Sequence, residues 1–223
     1  MSEPILATQD APKAIEKRLI KDFLGAKLID NSLRGYWCEA MLAEALGASC
    51  RIVSHGWAAW DLEIPHPDTA QMIRVQVKNS ASLQTWHSRQ SKPSKCSFNM
   101  TMRAAPFYLA QDSTSQQVDF GFHCEVFALC HHFVSDVYNA DHRMPDQWNI
   151  FLVPSDPNLG AITQEEFDWA QEKCRTSGRP VNLQRRPESL EEGIRGRAPV
   201  KPVLASELTP EHLFAALKNS SNS

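Results

Sequence analysis

The sequence predicts a single α/β domain in which a mixed β-sheet is flanked by helices. Three observations support this prediction: apolar residues at helical spacing near the N-terminus, strict alternation of apolar and polar residues in the middle of the chain, and capped helices again towards the C-terminus. We find no internal repeat and no interdomain linker in the sequence. One layered α/β core is the simplest arrangement that accommodates this order.

Two helices are predicted before the first strand. Over residues 11–28 the apolar residues recur at helical spacing, and Gly25 is expected to lie at the end of this helix. The second helix is predicted over residues 35–46, and either Asn31 or Ser32 is expected to cap it. Both helices are therefore expected to pack against strands that come later in the chain.

The apolar period then changes from that of a helix to that of a strand. Residues 60–64 and 72–78 alternate between apolar and polar, and the turn residues between them predict an antiparallel hairpin. Further strands are predicted in VDFGFHCEVFAL and in WNIFLVPS, whereas residues 79–106 are expected to form a loop or a partly helical insertion.

The last third of the chain is predicted to contain two short helices. Thr163 followed by Glu166 three residues later is a capping-box pattern. Thr209 is expected to cap the C-terminal helix, with Pro210 in its first turn. Residues 177–202 are expected to be mostly irregular.

Composition and charge exclude several classes of protein. The chain of 223 residues is 42% apolar and 22% charged, as is usual for a globular protein, and its net charge is -3. No apolar run approaches the roughly 20 residues of a membrane span, and no secretory signal pattern is found, so a cytoplasmic protein without a membrane partner is expected. The six cysteines contain no CxxC pair and are expected to be reduced thiols. The net charge argues against bulk coating of nucleic acid, but it does not exclude a local groove that binds phosphates.

Four polar residues are predicted to meet at one place. On the helix over residues 35–46, Glu39 falls on the apolar stripe, where a carboxylate is costly unless it is paired or binds a metal. Gln76 and Lys78 share one face of their strand, and a hairpin register near the middle sets Asp61 opposite Gln76, at a Cβ distance of about 5 Å. One face would then hold Asp61, Gln76 and Lys78, with Glu39 able to approach from the helix.

This order of residues resembles the PD-(D/E)XK nuclease superfamily, which has the restriction-endonuclease-like fold. The resemblance runs through GYWCEAMLAEALG, GWAAWDLEI and RVQVKNS, and it extends over residues 33–155. Its features are a helix with an inward Glu, a strand with Asp, and a strand with Gln-x-Lys. Gln76 stands where Glu is more usual, so the site holds one less negative charge.

The resemblance implies a nuclease that hydrolyses phosphodiester bonds of DNA with Mg²⁺ or Mn²⁺, in defence or in repair. Asp61 would be the central metal ligand, with Gln76 and Val77 adding their side-chain and main-chain carbonyl oxygens. Glu39 would complete the site through a water or a second metal. Lys78 would orient the attacking water or stabilise charge on the phosphate. The expected partners are DNA and either a second copy or another subunit.

Ordinary structural roles also fit each of these residues. Asp61 fits a turn at a strand end, Lys78 an exposed residue at a sheet edge, and Glu39 a partner of Arg34. Two alternatives therefore stay open. One is a relative that keeps the fold and binds nucleic acid or protein without cleaving. The other is an unrelated α/β domain, in which Asp61 and Lys78 would lie far apart.

Within the single domain over residues 1–223, a nuclease-like core is expected over residues 11–170, followed by a basic, Pro/Arg-rich stretch and the C-terminal helix over residues 171–223. The basic stretch fits a solvated loop as well as a segment that contacts phosphates. Earlier in the chain, an aromatic and basic segment fits either a contact with nucleic acid or a mobile polar loop; it contains Trp86, His87, Arg89, Lys92 and Lys95.

Overall fold

Two β-sheets form the centre of the computed structural model, which describes residues 11–53, 59–104, 120–193 and 199–218. The strands in chain order are β1 (Arg51–Ile52), β2 (Leu62–Pro65), β3 (Met72–Ala81), β4 (Phe98–Met102), β5 (Val126–His132), β6 (Trp148–Pro154), β7 (Val181–Arg185) and β8 (Val203–Leu204). Six of them make one sheet in the order β1-β2-β3-β5-β6-β8, and β4 pairs with β7 in a second sheet. The helices are α1 (Ala11–Leu24), α2 (Asn31–Leu46), α3 (Gln164–Ser177), α4 (Pro187–Glu192) and α5 (Pro210–Lys218).

The larger sheet is mixed, as the sequence predicts. Strand β3 pairs in parallel with β5, whereas the other neighbours in this sheet are antiparallel. The predicted hairpin is confirmed, since β2 and β3 are antiparallel with Leu62 opposite Val75. Within the described ranges, no helix is long and apolar enough to cross a membrane.

Each face of the larger sheet is covered by a separate apolar layer. On one face, Val75 and Val77 of β3 pack with Cys38 and Leu42 of α2, and α5 covers the same face. On the other face, residues of β5 such as Phe127 pack with β4, β7 and α3. Because side chains alternate along a strand, Gln76 and Lys78 point to this second face, between the two sheets.

Two segments predicted to lack strands each contain one, and these two strands pair with each other. The predicted loop over residues 79–106 contains β4, in which Phe98, Met100 and Met102 are buried in alternation with more exposed residues. The segment expected to be irregular contains β7 and α4. Strand β4 is antiparallel to β7, and β8 is antiparallel to β6, so residues 171–223 contribute strands to both sheets.

The helix boundaries agree with the predictions at α3 and at α5, which begins at Pro210, and differ at the start of α2. The capping box of α3 is confirmed, since the Thr163 hydroxyl accepts from the Glu166 N–H and the Glu166 carboxylate accepts from the Thr163 N–H. Helix α2 begins at Asn31, earlier than predicted, and its N-cap is Asp30, whose side chain accepts from the N–H of Ser32. An Asp at this position satisfies a backbone N–H that the first turn cannot pair.

Buried histidines lie beneath the start of α2. The rings of His132 and His142 meet edge to face with centroids 4.6 Å apart, and both contact Trp148. His142 Nδ1 accepts from the N–H of Ile29 at 2.9 Å, which ties the segment before α2 to the connection between β5 and β6. Burial lowers the pKa of His142 to about 3, so the ring is neutral in the folded protein at ordinary pH.

We expect the protein to lose stability in mild acid because of this histidine. The pKa of folded His142 lies below the ordinary value of 6.5, so the unfolded chain binds a proton that the folded chain does not as the pH falls from 6.5 towards 3. The contribution is therefore fully present above pH 6.5 and is lost progressively below it. The urea midpoint should be lower at about pH 5 than at about pH 7.5.

His142→Asn isolates this effect from that of other titrating groups, because Asn keeps an acceptor for the Ile29 N–H and has no proton to gain. Its midpoint should change less between the two pH values than that of the wild type. An equal change in both proteins would show that His142 does not cause the acid sensitivity.

Candidate active site

Asp61 lies at the start of β2 and reaches across to β3. Its N–H donates to the Val75 carbonyl at 2.9 Å, which extends the hairpin by one residue. Its carboxylate oxygen Oδ2 accepts from the Val77 N–H at 2.6 Å and from the side-chain amide of Gln76. The structure therefore brings Asp61 together with Gln76 and Val77, in the register that the sequence predicts.

The main-chain carbonyl of Val77 points to the same edge of β3 as the Asp61 carboxylate. In an extended strand, the N–H and C=O of one residue point to the same side. The Val77 N–H points to Asp61, because it donates to that carboxylate. The Val77 carbonyl therefore faces the same region, as the metal-ligand set implied by the resemblance requires.

Gln76 and Lys78 line a small cavity between the two sheets. Its volume is about 90 Å³, and it is bounded by β3 on one side and by β4 and the segment before β5 on the other. Asp61 is not among the described residues that line it, but it is hydrogen-bonded to Gln76, which is. The lining residues are Ala59, Gln76, Lys78, Thr101, Arg103, His123, Cys124 and Phe127.

Arg103 and His123 are site residues that the sequence analysis missed. Arg103 follows β4 and forms an isolated bridge with Gly121. The guanidinium NH2 of Arg103 contacts the Ala59 carbonyl at 3.4 Å, and His123 Nε2 lies 2.8 Å from the Arg103 carbonyl oxygen. These contacts hold the Arg103 guanidinium at the cavity. Its partner Ala59 lies two residues before Asp61 in the chain.

A charge pattern in the sequence could have indicated Arg103. Residues 69–111 contain no Asp or Glu, although the whole chain has a net charge of -3. The same stretch contains six Lys and Arg residues, and it includes both Lys78 and Arg103. A run of basic residues without acids concentrates positive potential along one part of the surface.

Burial shifts the pKa values of Asp61 and Lys78 in opposite directions. Desolvation raises the pKa of Asp61, and the Val77 N–H and the Lys78 ammonium oppose this shift. Desolvation also lowers the pKa of Lys78, an effect that Asp61 opposes and Arg103 reinforces. Both groups are therefore poorly solvated when charged, and a bound cation or phosphate would restore part of the lost interaction.

Glu39 approaches the site from the other face of the sheet. Its neighbour Cys38 is buried against the face that carries Val75 and Val77, opposite to that of Lys78. The Glu39 side chain is partly buried, and its charge helps to raise the pKa of Lys78. Glu39 is thus within electrostatic reach of the site, while Glu44 on the same helix is exposed.

The donors present are compatible with a hard divalent cation. Among the described residues, no group of three or more His, Cys, Asp or Glu side chains converges as a metal site. Mg²⁺, however, typically keeps several waters and takes only one or two carboxylates. Asp61 supplies one carboxylate, Val77 a main-chain carbonyl and Gln76 an amide, whose oxygen and nitrogen exchange places when the amide flips.

Comparison with models of protein families, with curated proteins and with solved structures returned no match. The first residues of the GWAAWDLEI segment, up to residue 58, lie outside the described part of the chain, as do Arg195 and Arg197 of the basic stretch.

Proposed function

We propose that this protein is a metal-dependent nuclease of the PD-(D/E)XK type, which hydrolyses phosphodiester bonds of DNA with Mg²⁺ or Mn²⁺. The observation that carries the proposal is the contact of the Asp61 carboxylate with Gln76 and Val77, on the strand that also presents Lys78 to the cavity. A restriction-endonuclease-like core is the finer description of the fold that this proposal requires.

In this proposal, Asp61 and the Val77 carbonyl hold the metal, and Gln76 contributes its amide oxygen. The bound ion would polarise the phosphate and lower the pKa of a water. The Lys78 ammonium stabilises the negative charge that develops on the phosphate, and its partly buried position strengthens that interaction. Arg103 adds a second positive charge that a phosphate can contact.

DNA is the proposed substrate because the stretch of chain that supplies Lys78 and Arg103 to the cavity is basic and contains no acid. Of the six cations in residues 69–111, Arg74 forms a salt bridge with Glu125 at 2.5 Å. The other five are Lys78, Arg89, Lys92, Lys95 and Arg103. Such a local field attracts a phosphate backbone even in a chain whose net charge is negative.

The direct test is cleavage of supercoiled plasmid and of single-stranded DNA by the purified protein. We expect cleavage with Mg²⁺ or Mn²⁺ and none with EDTA. Activity that persists in EDTA, or no activity with either ion, would contradict the proposal.

A second candidate function is a binding module for nucleic acid or a partner protein that does not cleave. The observation that favours it is Gln76, whose neutral amide stands where a second metal-binding carboxylate is more usual and donates to Asp61. Isothermal titration with Mg²⁺ or Mn²⁺ separates the two functions. A binding module has no need for divalent ions at Asp61.

We expect the two carboxylates of α2 to respond differently to the same change. Glu39→Gln should lower the cleavage rate by about 10- to 100-fold, as for residues that act one step from a metal. Glu44→Gln is the matched control and should leave the rate unchanged, because Glu44 is exposed. If the cleavage rate on one DNA substrate falls equally in the two variants, Glu39 is not part of the site.

A further inference from the structure

The loop that follows β3 exposes a large aromatic side chain. Trp86 is 71% exposed, the largest exposed fraction among the large apolar side chains of the described residues. Its ring stacks on that of His87, with centroids 6.1 Å apart and planes 23° apart. One side of the indole is thus supported by the protein, and the rest is presented to solvent.

Hydrogen bonds hold this loop in one shape. The Gln84 N–H donates to His87 Nδ1 at 2.8 Å, and His87 Nε2 contacts the Lys92 carbonyl at 3.0 Å. The Ser94 N–H donates to the Ser82 carbonyl at 2.8 Å, which closes the loop at its base. The exposed position of Trp86 is therefore a property of an internally bonded loop.

A second exposed aromatic lies beside the same loop. The guanidinium carbon of Arg89 lies 4.8 Å from the ring centroid of Tyr138, and Tyr138 is 58% exposed. Trp86 and Arg89 are three residues apart, so their Cα atoms are separated by at most about 11 Å. Two aromatic surfaces and a guanidinium plane are therefore neighbours.

The loop that carries Trp86 and Arg89 contains bases and no acids. Acids lie on the neighbouring segments, with Asp136 two residues before Tyr138 and Glu188 and Glu192 around the pocket that Lys95 lines. Lys92 and Lys95 lie on the same loop as Arg89, and the loop belongs to the stretch of residues 69–111 that contains no acid. Alternating aromatic and basic side chains are the usual means of binding a nucleic-acid strand, because bases stack on the rings and cations contact the backbone.

We propose that Trp86, Arg89 and Tyr138, with Lys92 and Lys95, form a stacking site for unpaired nucleotides of a nucleic-acid strand. The stacking site deepens the proposed nuclease function and rests on it. A duplex keeps its base faces covered by neighbouring base pairs, so only an unpaired base offers a face to Trp86. The substrate class is therefore DNA with a single-stranded segment.

Buried Arg34 joins the stacking site to the catalytic strand. Its side chain is 1% exposed and donates to Asn79 at 2.8 Å and to Gln84 at 3.0 Å. Asn79 follows Lys78 on β3, and Gln84 is the residue whose N–H anchors His87. One guanidinium thus fixes the loop relative to Lys78, so that a bound strand lies at a constant place relative to the cavity.

The test is binding of a fluorescein-labelled single strand of about 16 nucleotides, followed by fluorescence anisotropy in EDTA so that no cleavage occurs. Trp86→Ala should weaken binding on the order of 10- to 100-fold, since stacking supplies much of the affinity for each base. Trp86→Phe keeps an aromatic face and should retain most of the affinity. A duplex of the same sequence should respond less to Trp86→Ala than the single strand does.

Trp169→Ala is the matched control. Trp169 is 50% exposed on α3 and also has a cation over its ring, with Lys173 Nζ 4.8 Å from the centroid, but four acids share that helix. We expect this variant to bind like the wild type. Equal affinities for Trp86→Ala and Trp169→Ala, or an equal loss on duplex and single strand, would overturn the stacking site.

Two measurements on the wild-type protein separate this proposal from the proposed nuclease activity. Single-strand binding is measured in EDTA, where no divalent ion is available, and cleavage is measured with Mg²⁺ or Mn²⁺. If binding depends on Trp86 but the protein does not cleave DNA, the stacking site is supported and the nuclease proposal is contradicted. If the protein cleaves DNA but Trp86→Ala does not change binding, the nuclease proposal is supported and the stacking site is contradicted.

Discussion

Asp61→Asn should abolish divalent-ion binding and DNA cleavage together. Asp61 is the carboxylate that contacts both Gln76 and Val77, and Gln76 is neutral, so Asp61 carries most of the charge that would hold the ion. Asn keeps an oxygen that accepts from the Val77 N–H, so the hairpin should fold as before. We expect no heat of Mg²⁺ or Mn²⁺ binding by calorimetry, and a loss of cleavage on the order of 100-fold or more.

Gln76→Glu is the counterpart of this variant and should tighten Mg²⁺ binding. It adds an anionic oxygen beside Asp61, and without metal the two carboxylates repel each other. Turnover need not rise, because tighter binding of the ground state alone does not lower the chemical barrier. If the wild type neither binds ions nor cleaves, and Gln76→Glu restores neither, the function is that of a binding module.

Lys78→Ala should leave ion binding intact, or slightly tighter, while cleavage falls on the order of 100-fold, as when one electrostatic stabiliser of a transition state is removed. The ammonium is partly desolvated beside Asp61 and Arg103, so its removal takes a repulsive charge away from the ion. The measurement is ion titration by calorimetry alongside plasmid cleavage.

Lys173→Ala serves as the control for Lys78→Ala, since Lys173 is exposed on α3, away from the cavity. Its cleavage rate should equal that of the wild type. A parallel loss of ion binding and cleavage in Lys78→Ala, with an unchanged thermal midpoint, would mean that Lys78 helps to form the ion site rather than to stabilise the phosphate.

The hairpin of the candidate site could be predicted from sequence because its pattern is local. The first six residues of β3 alternate strictly, and one face of the strand is buried against α2, so a slip of one residue would place Val75 and Val77 on the polar side. That constraint fixes Asp61 opposite Gln76 without knowledge of the rest of the fold. The position of Glu39 on the apolar stripe of α2 could be predicted for the same reason, because the helical period is also a local pattern.

The second sheet could not be predicted in this way, because its two strands are distant in the sequence. Phe98 of β4 pairs with Arg185 of β7, and each strand is short and lies in a polar segment. Each strand finds its hydrogen-bonding partner only in the folded protein, and such tertiary context overrides local propensity. Arg103 was missed for this reason, since its place at the cavity depends on β4.

The cavity beside Lys78 has a volume of about 90 Å³, which has room for only a few water molecules. One phosphate group is of that size, whereas a nucleobase with its sugar is larger. In the proposed nuclease, this cavity would take a phosphate and leave the bases outside. Any preference for one DNA over another would then be decided on the outer surface of the protein. Changes at the cavity would alter how fast the proposed nuclease cuts, and changes elsewhere would alter where it cuts.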